Sequence, residues 1–348
     1  MSNCVFFANI ASNDTATAYA GAVYGGRLED CEIHGNAIFN TPSDAGSGAL
    51  RTGCGVVCSA QLDRCNVYDN FAQYYGAIYK CTARDCTLRN NLAGDDSHNA
   101  YMSNLIRCDV SESGTYLGSA MNSVFHDIGG SRTITTESNP RLAEDMTKNV
   151  GSISRCYGSF TNCLIRNNGT PSSMVVLMYG GSGILATGPM VNCTIVSNYI
   201  SSTFSTLKAA RGKQVVRNCV FADNFKDANT QCDISLWVAG IDNGTLEFSY
   251  CVYGSSSVDL SSYSAGPLWK LGEGGLPASP RFANDKNPAH PYEPRQSSPL
   301  VGRGQKEDWM ETAFDIRGDG FPRLRDGKVD IGCYQSYLPA QGLKLLFH

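Results

Sequence analysis

Runs of three to four residues that alternate apolar and polar positions recur along most of the chain, and the i, i+3, i+4 spacing of an amphipathic helix is hard to find. The alternation is organised around cysteine. A polar residue precedes Cys, a variable residue and an apolar one follow, and Asn often stands three positions further on. Asn3-Cys4-Val5-Phe6 ends at Asn9, Asp30-Cys31-Glu32-Ile33 at Asn36, Arg64-Cys65-Asn66-Val67 at Asn70, and Asp85-Cys86-Thr87-Leu88 at Asn91. The pattern returns at Cys163, Cys193 and Cys219, closed by Asn168, Asn198 and Asn224, with weaker copies at Cys108, Ser123 and Cys251. Self-similarity at this period marks a stacked repeat, in which each unit buries its apolar face only against its neighbours.

Period-two geometry places Cys and the residue two later on the same face of a short strand, here the inner one. Cysteine suits that place as a small buried hydrophobe. The residue between them (Val5, Glu32, Asn66, Thr87, Thr194) faces outward and is free to vary. The closing Asn stands where the strand turns, because Asn tolerates left-handed backbone, and stacked Asn side chains can hydrogen-bond as a ladder. Successive motif positions are separated by 27, 34, 21, 22, 15, 40, 30, 26 and 32 residues. Steps of 21 and 22 fit one coil of three short strands, and longer steps add a loop at small entropic cost. The 15-residue step is too short for such a coil, so Cys108 or Ser123 is expected on another face. Leucine-rich repeats would need several Leu per unit, and a propeller about 40 residues per blade. The expected fold is all-β, a right-handed parallel β-helix of roughly nine to eleven coils with an irregular carboxy-terminal cap; its handedness follows the crossover rule.

Composition agrees with this. Charged residues make up 17% of 348, against about 25% in an average domain, and the net charge is −4 with no Lys/Arg run, which excludes a cationic nucleic-acid binder. The 42% hydrophobic content excludes a disordered tail, and no apolar stretch reaches the length that spans a bilayer. The 15 cysteines are odd in number and lack zinc-site spacing, so neither a disulfide framework nor a structural zinc site explains them.

A second repeated element precedes the cysteine motif: Gly21-Ala22-Val23-Tyr24, Gly48-Ala49-Leu50-Arg51 and Gly76-Ala77-Ile78-Tyr79. With Phe6-Phe7-Ala8-Asn9 and Phe221-Ala222-Asp223-Asn224, it resembles the GGAI and FxxN repeats of polymorphic outer-membrane proteins and related bacterial surface β-helices, over roughly residues 1–260. From Gly266 the cysteine repeat gives way to frequent proline. The order Ser279-Pro280-Arg281-Phe282, Ser298-Pro299-Leu300-Val301-Gly302, Asp315-Ile316-Arg317-Gly318, Pro322-Arg323 and Asp330-Ile331-Gly332-Cys333-Tyr334-Gln335 is similar to the choice-of-anchor type of carboxy-terminal module in such proteins. Gln335 stands where that family has an acid, Cys333 where it has Ala, and Arg303 where Asp is usual. Asn139-Pro140-Arg141-Leu142 echoes the Ser279-Pro280 segment and is expected in a loop excursion. The chain thus divides into a β-helix over 1–265 and a Pro-rich module over 266–348. The resemblance implies a secreted or cell-surface protein. Met1-Ser2-Asn3-Cys4 enters a repeat without a leader pattern, so the chain is read as a part of a longer surface protein. The competing expectation is a cytoplasmic protein, where free thiols are natural.

For function, two readings stand. The favoured one is a non-catalytic, adhesin-like or glycan-binding β-helix whose partner is a polysaccharide or a host or neighbour-cell glycan. The other is a polysaccharide lyase or glycoside hydrolase with a groove site. Its candidate catalytic residues are Asp95, Asp96 and Lys80, with Arg84 nearby, because hydrolysis needs paired carboxylates and elimination a base. Tyr74, Tyr75 and Tyr101 are the candidate sugar platforms. Against the catalytic reading, Asp95-Asp96 follows Gly94 as turn residues do. His34, His98, His126, His290 and His348 are scattered and expected at the surface, and no metal pair forms. Asp315-Ile316-Arg317-Gly318-Asp319-Gly320 has the look of half a calcium loop but lacks the closing Glu, so a turn is expected and no cofactor is assigned.

Overall fold

The computed structural model describes residues 1–13, 20–40, 55–94, 98–150, 152–156, 158–179, 188–199, 207–209, 213–238, 245–254, 258–259, 269–271, 273–284 and 287–337. Among them are many short strands, a 3-10 turn at Asp308–Glu311, and no α-helix. The fold is a parallel β-helix. Its first sheet has eleven strands in parallel order, from Val5–Phe7 through Glu32–His34, Asn66–Tyr68, Thr87–Arg89, Asp109–Ser111, Val124–His126, Leu164–Arg166, Thr194–Val196, Val220–Ala222 and Val252–Tyr253 to Leu276–Pro277. A second parallel sheet contains Val23–Tyr24, Val57–Cys58, Ile78–Tyr79, Ala100–Ile106, Thr115–Met121 and their successors. A third, of four strands, runs over Ile10–Asn13, Ala37–Asn40, Phe71–Ala72 and Leu92–Ala93.

The register is the one the cysteine motif predicts. Ile33, Val67, Leu88, Val110, Phe125, Ile165, Ile195 and Phe221 pair in sequence and form one fully buried inner column. Beside it, Cys31, Cys65, Cys86, Cys108, Cys163, Cys193, Cys219 and Cys251 are buried free thiols. The Cys65 amide donates to Cys86 Sγ at 3.3 Å, and the Cys193 amide to Cys219 Sγ at 3.4 Å.

Cys108 and Ser123 share this column, contrary to the expectation that one lies on another face. Asp109 pairs with Val124, Val110 with Phe125, and the Cys108 amide donates to Ser123 Oγ at 3.1 Å. The coil between them is short because it lacks a strand of the third sheet, which ends at Leu92–Ala93. The chain passes from Asp109–Ser111 by a tight turn directly into Thr115–Met121.

The closing asparagines form the expected ladder, but they are not the left-handed residues. The left-handed residue is the one before: Ala8, Asp69, Asn90, Asn167, Ser197 and Asp223 have φ between 44° and 58°. The residue before each Cys is also left-handed, from Asn3 and Asp30 to Asn192 and Asn218, so each short strand is bounded by two such corners. The closing Asn serves through its amide. Asn36 donates to Asn70 Oδ1 at 3.0 Å, and Asn70 to Asn91 Oδ1 at 2.9 Å. Asn168 donates to Asn198 Oδ1 at 2.8 Å and Asn198 to Asn224 Oδ1 at 2.9 Å. The upper run ends on Asp233, whose Oδ1 accepts from the Asn224 amide at 3.2 Å.

Among the described residues, two excursions leave the coils. The 40-residue step from Ser123 to Cys163 contains an antiparallel hairpin, Gly130–Ile134 with Met146–Val150. Its tip holds Asn139–Asp145, the predicted excursion, and lies against the early coils. There Asn139 Nδ2 donates to Asn36 O at 3.2 Å and to Asp69 O at 3.4 Å, Arg141 donates to Ala8 O, and Leu142 is buried. The Pro-rich module is irregular, as expected, but its described part lies along the side of the helix. Phe282, Leu300, Ile331, Cys333 and Tyr334 pack on Leu164, Val196, Val220 and Val252. These helix residues occupy outward places on the first sheet that are polar or exposed in earlier coils, as at Glu32 and Asp109. Burying each such side chain contributes about 1.5–3 kcal/mol. The corner asparagines complete the seam: Asn162 Nδ2 donates to Phe314 O at 3.1 Å, Asn218 Nδ2 to Gln305 O at 2.8 Å, and the Gly332 amide to Asn218 O at 2.8 Å.

Candidate tyrosine face

The outward positions of the second sheet carry a column of tyrosines. Ile78, Ala100 and Thr115 point inward and are fully buried, so alternation turns Tyr79, Tyr101 and Tyr116 outward, where they are half-buried. Tyr79 pairs in register with Tyr101, and Tyr101 with Tyr116. Strand spacing then stacks the rings. Tyr101 and Tyr116 lie 4.7 Å apart at 9°, and Tyr79 and Tyr101 5.7 Å apart at 39°. Tyr75, at a left-handed turn with φ 66°, packs on Tyr79 at 5.0 Å and on Tyr101 at 4.8 Å. Tyr74 adjoins Tyr75 at 6.3 Å, and Lys80 Nζ lies 5.0 Å from the centre of the Tyr79 ring, within cation–π range.

Thus Tyr74, Tyr75 and Tyr101, the predicted sugar platforms, are brought together with Lys80 in one patch. Tyr79 and Tyr116 belong to it and were not singled out from the sequence. The signal for them was present: steps of 22 from Tyr79 to Tyr101 and 15 to Tyr116 repeat those of 22 from Cys86 to Cys108 and 15 to Ser123. Residues that share a column share its spacing. Because Tyr101 stands between rings on the coils before and after it, it offers edge and hydroxyl more than an open face. Asp95 and Asp96 lie outside the described residues; Lys80 is exposed and Arg84 half-buried.

Among the described residues elsewhere, several ionisable groups are paired with one another. Arg64 bridges Asp30 at 2.7 Å and Glu29 at 2.5 Å, and Arg107 meets Asp85 at 2.6 Å. The guanidinium beside each aspartate lowers the pKa of Asp30 and of Asp85. In the module, buried Arg317 binds Asp315 at 2.5 Å and Glu293 at 3.1 Å, and its guanidinium lies 4.1 Å from the Phe321 ring centre. Asp315 also accepts from the backbone amides of Arg317 at 2.8 Å and Gln335 at 2.9 Å. The supposed half calcium loop is therefore an Asp-anchored turn whose carboxylate already has its partners. Asp330 similarly receives the amides of Gly302 at 2.7 Å and Ser336 at 2.6 Å. Asp315, Arg317 and Asp330 thus hold the loops of the Pro-rich segment together. Among the described residues no group of three or more His, Cys, Asp or Glu is placed to hold a metal ion.

The histidines divide. His34 stacks between Phe7 and Tyr68, at 4.7 Å from each, on the outer side of the first sheet. His98, expected at the surface, is buried, and its Nδ1 accepts from the Ala93 amide at 3.2 Å. Burial pushes the thiols of Cys81 and Cys333 up to about 12 and those of Cys163, Cys193 and Cys219 well above the ordinary range, which argues against a thiolate nucleophile at these positions. No known family profile matches this chain. No curated protein matches it either.

Proposed function

We propose that this chain is a non-catalytic, surface-displayed β-helix that binds an extended glycan along its tyrosine face. The observation that carries the reading is the contiguous patch of Tyr74, Tyr75, Tyr79, Tyr101 and Tyr116, half-buried on a regular lateral face. Tyrosine combines a rigid apolar body with a polar tip, the combination that suits a ligand with alternating C–H and hydroxyl groups. The column runs along the stacking direction, so a linear polymer lying along it meets one tyrosine on each of the three coils of Tyr79, Tyr101 and Tyr116. Surface display rests on the likeness of the Gly-Ala and Phe-x-x-Asn repeats to those of polymorphic outer-membrane proteins. The choice-of-anchor-like order of motifs from Ser279 to Gln335 supports it further.

A glycan array read in parallel with a polysaccharide digestion panel tests this. The wild-type chain is expected to bind one class of glycan without releasing fragments. Tyr79→Ala and Tyr101→Ala are each expected to weaken binding by about tenfold or more, the usual effect of truncating an aromatic anchor. An empty array removes the sugar-directed reading. Fragments released by the wild type and abolished by Asp95→Asn, Asp96→Asn or Lys80→Met replace binding with lyase or hydrolase activity.

A further inference from the structure

His126 occupies an outward place on the first sheet, between Ser111 of the coil before and Arg166 of the coil after. Both of its ring nitrogens face carboxylates: Nε2 lies 2.7 Å from Asp109 Oδ1, and Nδ1 2.6 Å from Asp127 Oδ2. A neutral imidazole has one N–H and cannot donate to both, whereas an imidazolium can. The two carboxylates approach opposite nitrogens, so they do not converge with the ring on a single cation.

Asp127 is where the chain leaves the coil. Its backbone is left-handed, with φ 53°, and two glycines follow, Gly129 at φ 126° and Gly130 at φ 77°. From there the chain enters the Gly130–Ile134 and Met146–Val150 hairpin. Arg132, on the first hairpin strand, donates back to Asp127 O at 2.5 Å and to Gly129 O at 3.2 Å. His126 therefore ties the root of the hairpin to Asp109 on the coil below.

We propose that His126 is a pH-sensitive latch at the root of this hairpin, closed when the imidazole is doubly protonated and slackened when it is neutral. The charged groups around it are Asp109 from the preceding coil, Asp127 on its own turn, Arg166 from the following coil, and Arg132, which binds the Asp127 carbonyl. Hydrogen bonding to Asp109 and then to Asp127 raises the His126 pKa, against burial and the charge of Arg166, which lower it; the net shift is upward from the ordinary value of 6.5. A histidine with a raised folded pKa contributes stability that is complete below the unfolded value and is lost as pH rises through the folded value. The latch is thus closed in mildly acidic medium and released on the alkaline side of 6.5.

Histidine NMR titration combined with amide hydrogen exchange of the full chain, between about pH 5.5 and 8.5, tests the latch across the range in which histidine titrates. After correction for intrinsic rates, exchange over 130–134 and 146–150 is expected to quicken about tenfold on the alkaline side, the fold-change that goes with losing one charge-assisted hydrogen bond. Its midpoint is expected to match the His126 titration, while exchange over 194–196 stays unchanged. In His126→Gln the hairpin step is expected to vanish, and Asp109→Asn is expected to lower the His126 midpoint even if the first variant folds poorly. A His126 midpoint at or below 6.5, or hairpin exchange that ignores the titration, overturns the proposal.

Discussion

Asn198→Ala probes the side-chain ladder that links one coil to the next beside the backbone pairing of the sheets. Asn198 is fully buried, and its Oδ1 accepts from the Asn168 amide at 3.1 Å and from Asn168 Nδ2 at 2.8 Å. Its own Nδ2 donates to Ile165 O at 3.1 Å, to Val196 O at 3.0 Å and to Asn224 Oδ1 at 2.9 Å. Alanine removes all five contacts but does not orphan every partner. Asn168 Nδ2 keeps Phe125 O at 3.1 Å, Val196 O keeps the Asn167 amide at 3.3 Å, and Asn224 Oδ1 keeps the Asn198 amide at 3.1 Å. The principal loss is the buried Asn168 amide, whose acceptor is gone at a cost of about 1–3 kcal/mol, and the remaining bonds bring the expected total to about 2–4 kcal/mol. Urea unfolding followed by circular dichroism measures this as a lower midpoint at unchanged slope. The exposed Asn149→Ala is the matched control, expected within about 0.5 kcal/mol of wild type. If Asn198→Ala proves as mild as the control, the ladder adds nothing measurable to the coupling of the coils.

The buried thiols are expected to resist a maleimide reagent in the native state, with half-buried Cys4 labelled before the other described cysteines and Cys163, Cys193 and Cys219 only on unfolding; rapid native labelling of these three contradicts their inward placement. Gly332→Ala is expected to loosen the module from the helix. At φ 97° a Cβ there would lie 2.7 Å from Thr194 Oγ1 and 2.9 Å from Val220 Cγ2. The crowding costs about 1–3 kcal/mol, and limited proteolysis should detect it as earlier cleavage between 278 and 337 with the coils intact. Unchanged cleavage refutes the close seam.

The predicted column of cysteines and apolar residues holds because a strand's two-residue period and a coil's repeat spacing are both written in local residue order. The tyrosine column obeys the same spacing, yet Tyr79 and Tyr116 are inconspicuous in the sequence because an outward residue is not required to repeat. The left-handed corners lie one residue before the closing Asn, since Asn there resembles a turn former in sequence while its amide is what the structure uses. Ser123 shares the cysteine column because its coil omits a strand of the third sheet, and His98 is buried with its Nδ1 on the Ala93 amide; neither placement is written in local residue order.

The sequence by itself determined the parallel β-helix, its inner column and its asparagine ladder, because each unit repeats the pattern that its neighbours must complete. Only the tertiary structure decided where the excursions come to rest: the hairpin across the early coils, and the signature-bearing module along Leu164, Val196, Val220 and Val252. Those contacts join residues as far as 152 positions apart, as between Asn162 and Phe314, and depend on which outward faces are left apolar once the coils have stacked.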